Sequence, residues 1–564
     1  MSLFNRKQKK EISFEEILLD ASNLPSFDTG RMEGHMELPL SRVSIMSVGI
    51  VFVIIASVFT FKLFTIQVVE GDAYAARSEN NRVSTSVIVA ERGAIYDRRG
   101  DLIVWNERDQ EGEYGFPMRA YTDRKGFGQL IGYVSYPKTD AAGFYYRTEY
   151  VGRSGVEEAY HDALSGANGE QLVEVNAVGE VISNHVVRAP TPGDDLVLSI
   201  DAELSEEIYT LLATTTETNG FRTGAAAIMD VHTGALLALS SFPSYDPEVL
   251  ADGDDADAIA ALNNDNRYPF LNKVVGGVYT PGSIVKPIVA YAALVENIID
   301  PMQVMYSNGS LVVPNPYNPS NPTIFRDWRA HGKMTMRDAI AYSSNVYFYT
   351  IGGGFGDQKG LGITKINEYM RLFGLGEKTG VQLLGEQKGT VPNPEWKRAV
   401  FDDDWRLGDT YLTSIGQFGF QVTPIQMLRA YAALANGGTL ITPHIVYGAQ
   451  GATRDIMLDT AQLQIIQEGM RQTVIQDGGT ARALERKDVA VAGKSGTAEL
   501  GHDNARVNSW ISGYFPYEEP QYAFVLFMEN GPRANTVGAS SVMGKVLDWI
   551  GEHRPEYFGI EENS

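Results

Sequence analysis

The chain has 564 residues, too many for one hydrophobic core, and its 44% apolar content is that of a folded protein with more than one domain. Its formal charge of -23 argues against nucleic acid as a partner, because a phosphate backbone is bound by clustered Lys and Arg; the acidity reads as solubility and repulsion between copies. Cysteine is absent, which removes disulfides, thiolate metal sites and cysteine nucleophiles together.

Residues 1–42 are polar and mixed in charge, and read as a short cytoplasmic tail. Residues 43–61 hold no charged side chain and are bracketed by Arg42 and Lys62, close to the ~20 residues a helix needs to cross a bilayer. Core helices seldom run so long without a charge. Ala73-Tyr74-Ala75 has the look of a signal cleavage site but lies too far beyond the apolar run, so one uncleaved anchor over residues 43–65 is expected. Charge alone orients this anchor poorly, since Arg6, Lys7, Lys9 and Lys10 are interleaved with acids.

Residues 66–200 alternate short β-branched runs with turns, as at 83–89 and at 171–181, where Gly179 interrupts the second run. This predicts a strand-rich module rather than a helical bundle. The polar stretch 189–195 supplies a boundary. Residues 201–555 then read as a large mixed α/β domain. Strands are expected at 224–229 and 235–241, joined by a hairpin at His232-Thr233-Gly234, and again at 489–492, 507–515 and 522–528. A closing helix is expected at 541–550. Two strands from one end and three from the other predict one central antiparallel five-stranded sheet flanked by helices. Between them lie an Asn/Pro-rich loop at 314–322 and helices such as 425–435 and 460–475.

Chemistry concentrates first at Pro281-Gly282-Ser283-Ile284-Val285-Lys286. A serine hydroxyl is a poor nucleophile until a base takes its proton. Ser283 and Lys286 share one face if the segment is helical, and Pro281-Gly282 with Pro287 fits only a helix entry. There the macrodipole favours negative charge and disfavours a protonated Lys286, whose ordinary value near ~10.4 must fall for it to act as a base. Ser135-Tyr136-Pro137-Lys138 matches the same Ser-x-x-Lys pattern without an apolar helix behind it. Ser343-Ser344-Asn345 follows an amphipathic stretch at 336–342, offering a hydroxyl to relay a proton and an amide to hold a peptide carbonyl. Lys494-Ser495-Gly496-Thr497 follows the apolar run 489–492. Lys494 is placed to attract a terminal carboxylate and Ser495 to bond it, Gly496 admits a substrate backbone, and the Thr497 N–H suits an oxyanion hole. Two decoys share these patterns: Lys378-Thr379-Gly380, which follows a helix stop rather than a strand, and Ser78-Glu79-Asn80, which falls just beyond the anchor.

With these three elements in this order, the chain resembles the penicillin-binding proteins, specifically the class B transpeptidases. Arg92-Gly93-Ala94-Ile95-Tyr96-Asp97-Arg98-Arg99-Gly100 and Gly152-Arg153-Ser154-Gly155-Val156-Glu157 resemble that family's motifs after the anchor, as does Leu164-Ser165-Gly166. Gly416-Gln417, Thr423-Pro424, Trp510 and Gly513-Tyr514 match inside the catalytic domain. Asn393-Pro394-Glu395-Trp396-Lys397, Gly408-Asp409-Thr410-Tyr411 and Glu529-Asn530-Gly531 are similar to the elongation-type subgroup. The resemblance implies a serine transpeptidase fold over 201–555, a pedestal (dimerisation) domain over 66–200, and no metal or cofactor. It implies that Ser283 attacks the penultimate D-Ala carbonyl of a stem peptide with Lys286 as base, that the Ser283 and Thr497 N–H groups hold the oxyanion, and that Ser343 and Lys494 pass the proton to the departing D-Ala. It further implies β-lactams as covalent inhibitors, a polytopic glycan polymerase as membrane partner, and a single-pass inner-membrane protein with its N-terminus cytoplasmic and its catalytic domain outside. Ser495 stands where many members have Thr, and Lys273 where Arg is common. Whether the acyl group passes to an amine or to water is not written in the motifs, so a D,D-carboxypeptidase or β-lactamase-like hydrolase, a division-type transpeptidase, and an inactive scaffold or β-lactam sensor stand as alternatives. A bifunctional polymerase would need a glycosyltransferase domain before residue 200, where there is no room for one.

Overall fold

The computed structural model describes residues 42–72, 74, 83–108, 115–139, 145–175, 181–315, 318, 320–501 and 504–560. The Ser78-Glu79-Asn80 triplet and, but for Arg42, the N-terminal tail lie outside the described residues. The chain divides into two compact units, Met1–Val83 and Ser84–Ser564.

In the first unit, helix α1 (Arg42–Phe64) continues into a π-helical turn, Thr65–Val69. Its 23 residues rise about 35 Å, enough for a hydrocarbon core. Val43, Met46, Phe52 and Phe59 are each exposed by about two thirds, so this apolar surface has no protein core of its own to serve. The helix has the length and composition of a single membrane span.

The second unit begins with the strand-rich module. Val83–Ile88, Gly169–Val175 and Val181–Arg188 form one sheet. Leu196–Val197, Ile95–Tyr96, Leu102–Glu107 and Met118–Tyr121 form a second. Under the second sheet lies a buried charge triad. Glu157 accepts Arg92 Nε at 2.5 Å and Arg119 Nε at 2.8 Å, and all three side chains are closed to water. Further donors are satisfied by backbone carbonyls, Arg92 on Glu157 and Arg119 on Gly93. The polar stretch 189–195 is not a free linker. Thr191 and Ala167 exchange backbone bonds, the Gly193 N–H donates to Glu91, and Leu198 bridges to Val446 of the catalytic region. One continuous core runs from Ile95, Leu130 and Val156 to Ile284 and Val289.

The catalytic region starts with α2 (Ala202–Thr218), capped by the Asp201 carboxylate on the Leu204 N–H. The strands are β1 (Thr223–Asp230), β2 (Leu236–Phe242), β3 (Ala492–Leu500), β4 (Arg506–Phe515) and β5 (Tyr522–Pro532). They form one antiparallel sheet in the order β2-β1-β5-β4-β3. The period-2 alternation of strands splits their apolar side chains between two cores. Ala226, Ile228, Phe524, Leu526 and Met528 pack with α2 and the closing helix α8 (Ala539–His553). Ala225, Ala227, Met229, Val525 and Phe527 face the helices α3 (Lys286–Val295) and α6 (Pro424–Ala435). The remaining helices that shape the site are α4 (Met336–Ala341), α5 (Asn345–Gly353) and α7 (Thr460–Ile475). One expectation shifts: Val489 and Val491 are core side chains ahead of β3, and the strand itself runs through Lys494-Ser495-Gly496-Thr497.

Removing the acceptor of the buried triad leaves two guanidiniums unpaired in a water-free place. Glu157→Ala is expected to destabilise the second unit by about 3–5 kcal/mol, read as an earlier urea unfolding transition.

Candidate active site

The site forms where β3, the edge of the sheet, meets the turn that opens α3. Pro281 precedes a 3-10 turn, Gly282–Val285, which hands over to α3 at Lys286 with Pro287 in its first turn. Ser283 therefore sits at a helix entry, as its neighbours predict. The turn is fitted tightly on both sides. Gly282 has φ +58°, and a Cβ there would come within 2.8 Å of the Thr497 carbonyl oxygen. The Gly282 N–H donates to the Gly416 carbonyl at 3.0 Å, and a Cβ on Gly416 would meet the Gly282 oxygen at 2.2 Å. Behind the turn, Trp510 Nε1 donates to the Thr280 carbonyl and the Tyr431 hydroxyl to the Ile284 carbonyl.

Lys286 is completely buried. Its Nζ donates to the Ser343 carbonyl at 2.7 Å and to Asn345 Oδ1 at 2.8 Å, with Ser343 Oγ at 3.4 Å. The Phe348 ring lies beside it, 5.3 Å from Nζ to centroid. Burial pushes the Lys286 ammonium down to about 7, against an opposing pull from Asp327. Among the described residues no carboxylate reaches ion-pair distance of Lys286 or Lys494.

Ser343 and Asn345 come from the link between α4 and α5. Thr335 and Asp338 form a capping box at the start of α4, and Ser344 caps α5 by accepting the Tyr347 N–H. Ser343, between the helices, has φ +58°, unusual for a residue with a Cβ and of the kind that active sites hold in place.

The third element lies on β3 itself. Alternation sends Lys494 and Gly496 toward the serine turn and Ser495 and Thr497 to the other side. Lys494 is completely buried and donates to the Ser495 carbonyl at 2.8 Å. Burial and the neighbouring Lys286 charge hold its ammonium well below the usual lysine range. A Cβ on Gly496 would meet Ile284 at 2.8 Å, so only Gly allows this approach. Ser495 Oγ donates to Thr480 Oγ1 at 2.6 Å, and Thr497 is exposed. As the sheet's edge, β3 offers unpaired backbone groups to an extended peptide.

The eight residues singled out from the sequence thus lie on three pieces that pack together, the serine turn, the α4–α5 link and β3, with the Ser495 and Thr497 side chains on the far face of the strand. The rival patterns do not. Lys378-Thr379-Gly380 lies in a loop where Thr379 bonds the Glu386 carboxylate, and Ser135 and Lys138 lie on short strands of the pedestal module, with Ser135 Oγ accepting from Arg153. Two side chains escaped the sequence reading. Thr480, next to Gly478-Gly479, carries only a turn signal. Asp327 belongs to no motif, yet its carboxylate accepts from Ser344 Oγ and from the Asn345 and Val346 N–H groups.

The sequence model of the penicillin binding protein transpeptidase domain matches residues 224–548, and that of the penicillin-binding protein dimerisation domain matches residues 116–198. The peptidoglycan D,D-transpeptidase MrdA of Acinetobacter baumannii is 31% identical over 476 residues, covering 78% of this chain and 68% of that protein. The penicillin-binding protein PBP2 of Helicobacter pylori, solved in complex with MreC, is 27% identical, with TM-score 0.69 over 83% of this chain and 99% of its own. A chain from a structure titled for the coordination of polymerization and crosslinking by a peptidoglycan synthase complex is 28% identical, with TM-score 0.69 over 92% of this chain and 99% of its own. The chain belongs to the penicillin-binding protein transpeptidase family, among its class B, elongation-type members.

Proposed function

We propose that this protein is a peptidoglycan D,D-transpeptidase that cross-links stem peptides in cell-wall elongation and cell-shape maintenance, with Ser283 as the acyl acceptor. The observation that carries the reading is the bonding of Lys286. A neutral lysine amine has two N–H donors and one lone pair. The Ser343 carbonyl and Asn345 Oδ1 take two donors, Ser343 Oγ stands third at 3.4 Å, and this reading gives the lone pair of the neutral amine to the hydroxyl proton of Ser283, one turn earlier.

In this mechanism a stem peptide adds along β3, its terminal carboxylate held by Ser495 and drawn by Lys494. Ser283 Oγ attacks the penultimate D-Ala carbonyl as its proton passes to Lys286. The Ser283 and Thr497 N–H groups hold the oxyanion. Collapse breaks the amide, and Ser343, with Lys494, hands the proton to the departing D-Ala amine. Asn345 steadies the peptide. An amine from a second stem then attacks the ester, restores Ser283 and leaves the cross-link. β-Lactams place a strained amide in the same position. Stem peptides are cross-linked on glycan strands outside the cytoplasm, so in this reading the anchor runs with its N-terminus inside, in the cell (inner) membrane. The complexes of the two related structures support partners in the membrane assembly, and a polytopic glycan polymerase is the one this reading names.

Two outcomes test it. Fluorescent penicillin should label the wild-type protein and leave Ser283→Ala unlabelled, and covalent labelling of that variant would remove Ser283 from the mechanism. Because only the neutral amine accepts a proton, the acylation rate should fall as pH drops through about 7 and level off above it. A rate independent of pH across that range would exclude Lys286 as base.

A further inference from the structure

Behind the Ser343–Asn345 link stands a carboxylate that the mechanism above does not use. Asp327 follows the strand Thr323–Arg326, which pairs with Ser310–Val313 in a small ribbon separate from the central sheet. Its side chain is closed to water. Oδ2 accepts from Ser344 Oγ at 2.7 Å and from the Val346 N–H at 2.9 Å. Oδ1 accepts from the Asn345 N–H at 2.9 Å and the Trp328 N–H at 2.9 Å, with His331 Nε2 at 3.4 Å. We propose that Asp327 is a positioning residue for acyl transfer, clamping the Ser343–Val346 segment from behind so that the Ser343 carbonyl and the Asn345 amide stay trained on Lys286.

Two observations carry this. Ser343 is held with φ +58°, a conformation that costs energy and persists only where its surroundings over-determine it. Asp327 supplies that determination by bonding the three residues that follow, at the exposed N–H groups where α5 begins. The same carboxylate also acts at a distance. Lys286 is faced by Asp327 from the ribbon and by Lys494 from β3, and Asp327 is faced by His331 and Tyr349 as well. Burial would raise the Asp327 carboxyl, but the His331 ring and the Asn345, Val346 and Ser344 donors outweigh it and hold the group down at about 2. It is therefore charged at every working pH, and its charge opposes the loss of the Lys286 proton. Asp327 keeps the base from falling too low, without touching it.

The proposal rests on Lys286 acting as base, and it is tested in the full-length protein by the rate and pH profile of penicillin acylation. Asp327→Asn keeps the shape but removes the charge and sets an amide against backbone donors. The expected result is a loss of about 10- to 100-fold in acylation rate, with the acid limb of the profile moved to lower pH by roughly half a unit or more. Ser344→Ala removes one donor and keeps the charge, so a smaller loss with an unmoved limb is expected. A wild-type rate and limb in Asp327→Asn would overturn the proposal. If Asp327→Asn does not fold, wild-type acylation by Ser344→Ala would overturn it instead. Failure of the underlying reading looks different: the wild-type profile itself would lack an acid limb near 7.

Discussion

The amine of Lys286 is held out of water by parts of the chain that lie far apart in sequence, and the rest of the catalytic region is arranged around keeping it there. A charged ammonium in that place would cost several kcal/mol, which is what drives the group toward its neutral form. The neutral form is tolerable because the Ser343 carbonyl and the Asn345 amide satisfy both of its N–H groups. Those two acceptors require the link between α4 and α5 to sit against α3, and the link in turn requires a backbone conformation that a β-carbon resists. Close packing does the remainder. Gly282 and Gly496 remove the side chains that would otherwise separate the serine turn from β3, and Gly416 removes one that would push its own loop off the turn.

Charge is handled in opposite ways in the two regions of the second unit. In the pedestal module, Glu157 meets the Arg92 and Arg119 guanidiniums directly, so each charge of that triad has a partner in contact. Around Lys286 and Lys494 no carboxylate among the described residues reaches ion-pair distance, although the chain as a whole is strongly acidic. A contacting Asp or Glu would stabilise the ammonium. Asp327 shows the compromise: it is near enough to be felt and is already engaged by four donors of its own.

Much of this was legible in the residues. Local chemistry placed Ser283 at a helix entry, because Pro281, Gly282 and Pro287 tolerate little else there. Alternation and β-branching marked β1, β2, β4 and β5, and apolar spacing marked α7 over Thr460–Ile475. β3 was read short. Its polar motif does not look like a buried strand, and the valines before it look more like one than they are. Asp327 was invisible for a deeper reason. A carboxylate whose partners are backbone N–H groups of a distant helix leaves no pattern in spacing or composition. The same holds for Arg119, which the Arg92–Glu157 pair recruits only in three dimensions.

The central sheet joins β1 and β2 to strands from the far C-terminus, with β5 inserted directly between β1 and β4. Such pairing is highly non-local, so it forms late and slowly during folding. During synthesis and export, Ser283 emerges well before β3, and until β3 arrives it has neither the Thr497 amide beside it nor Lys494 nearby. A chain still being made therefore holds Ser283 without the strand that packs against its turn. The surroundings of Ser283 are complete only when the last strands close the sheet, which ties the shape of the site to completion of the polypeptide.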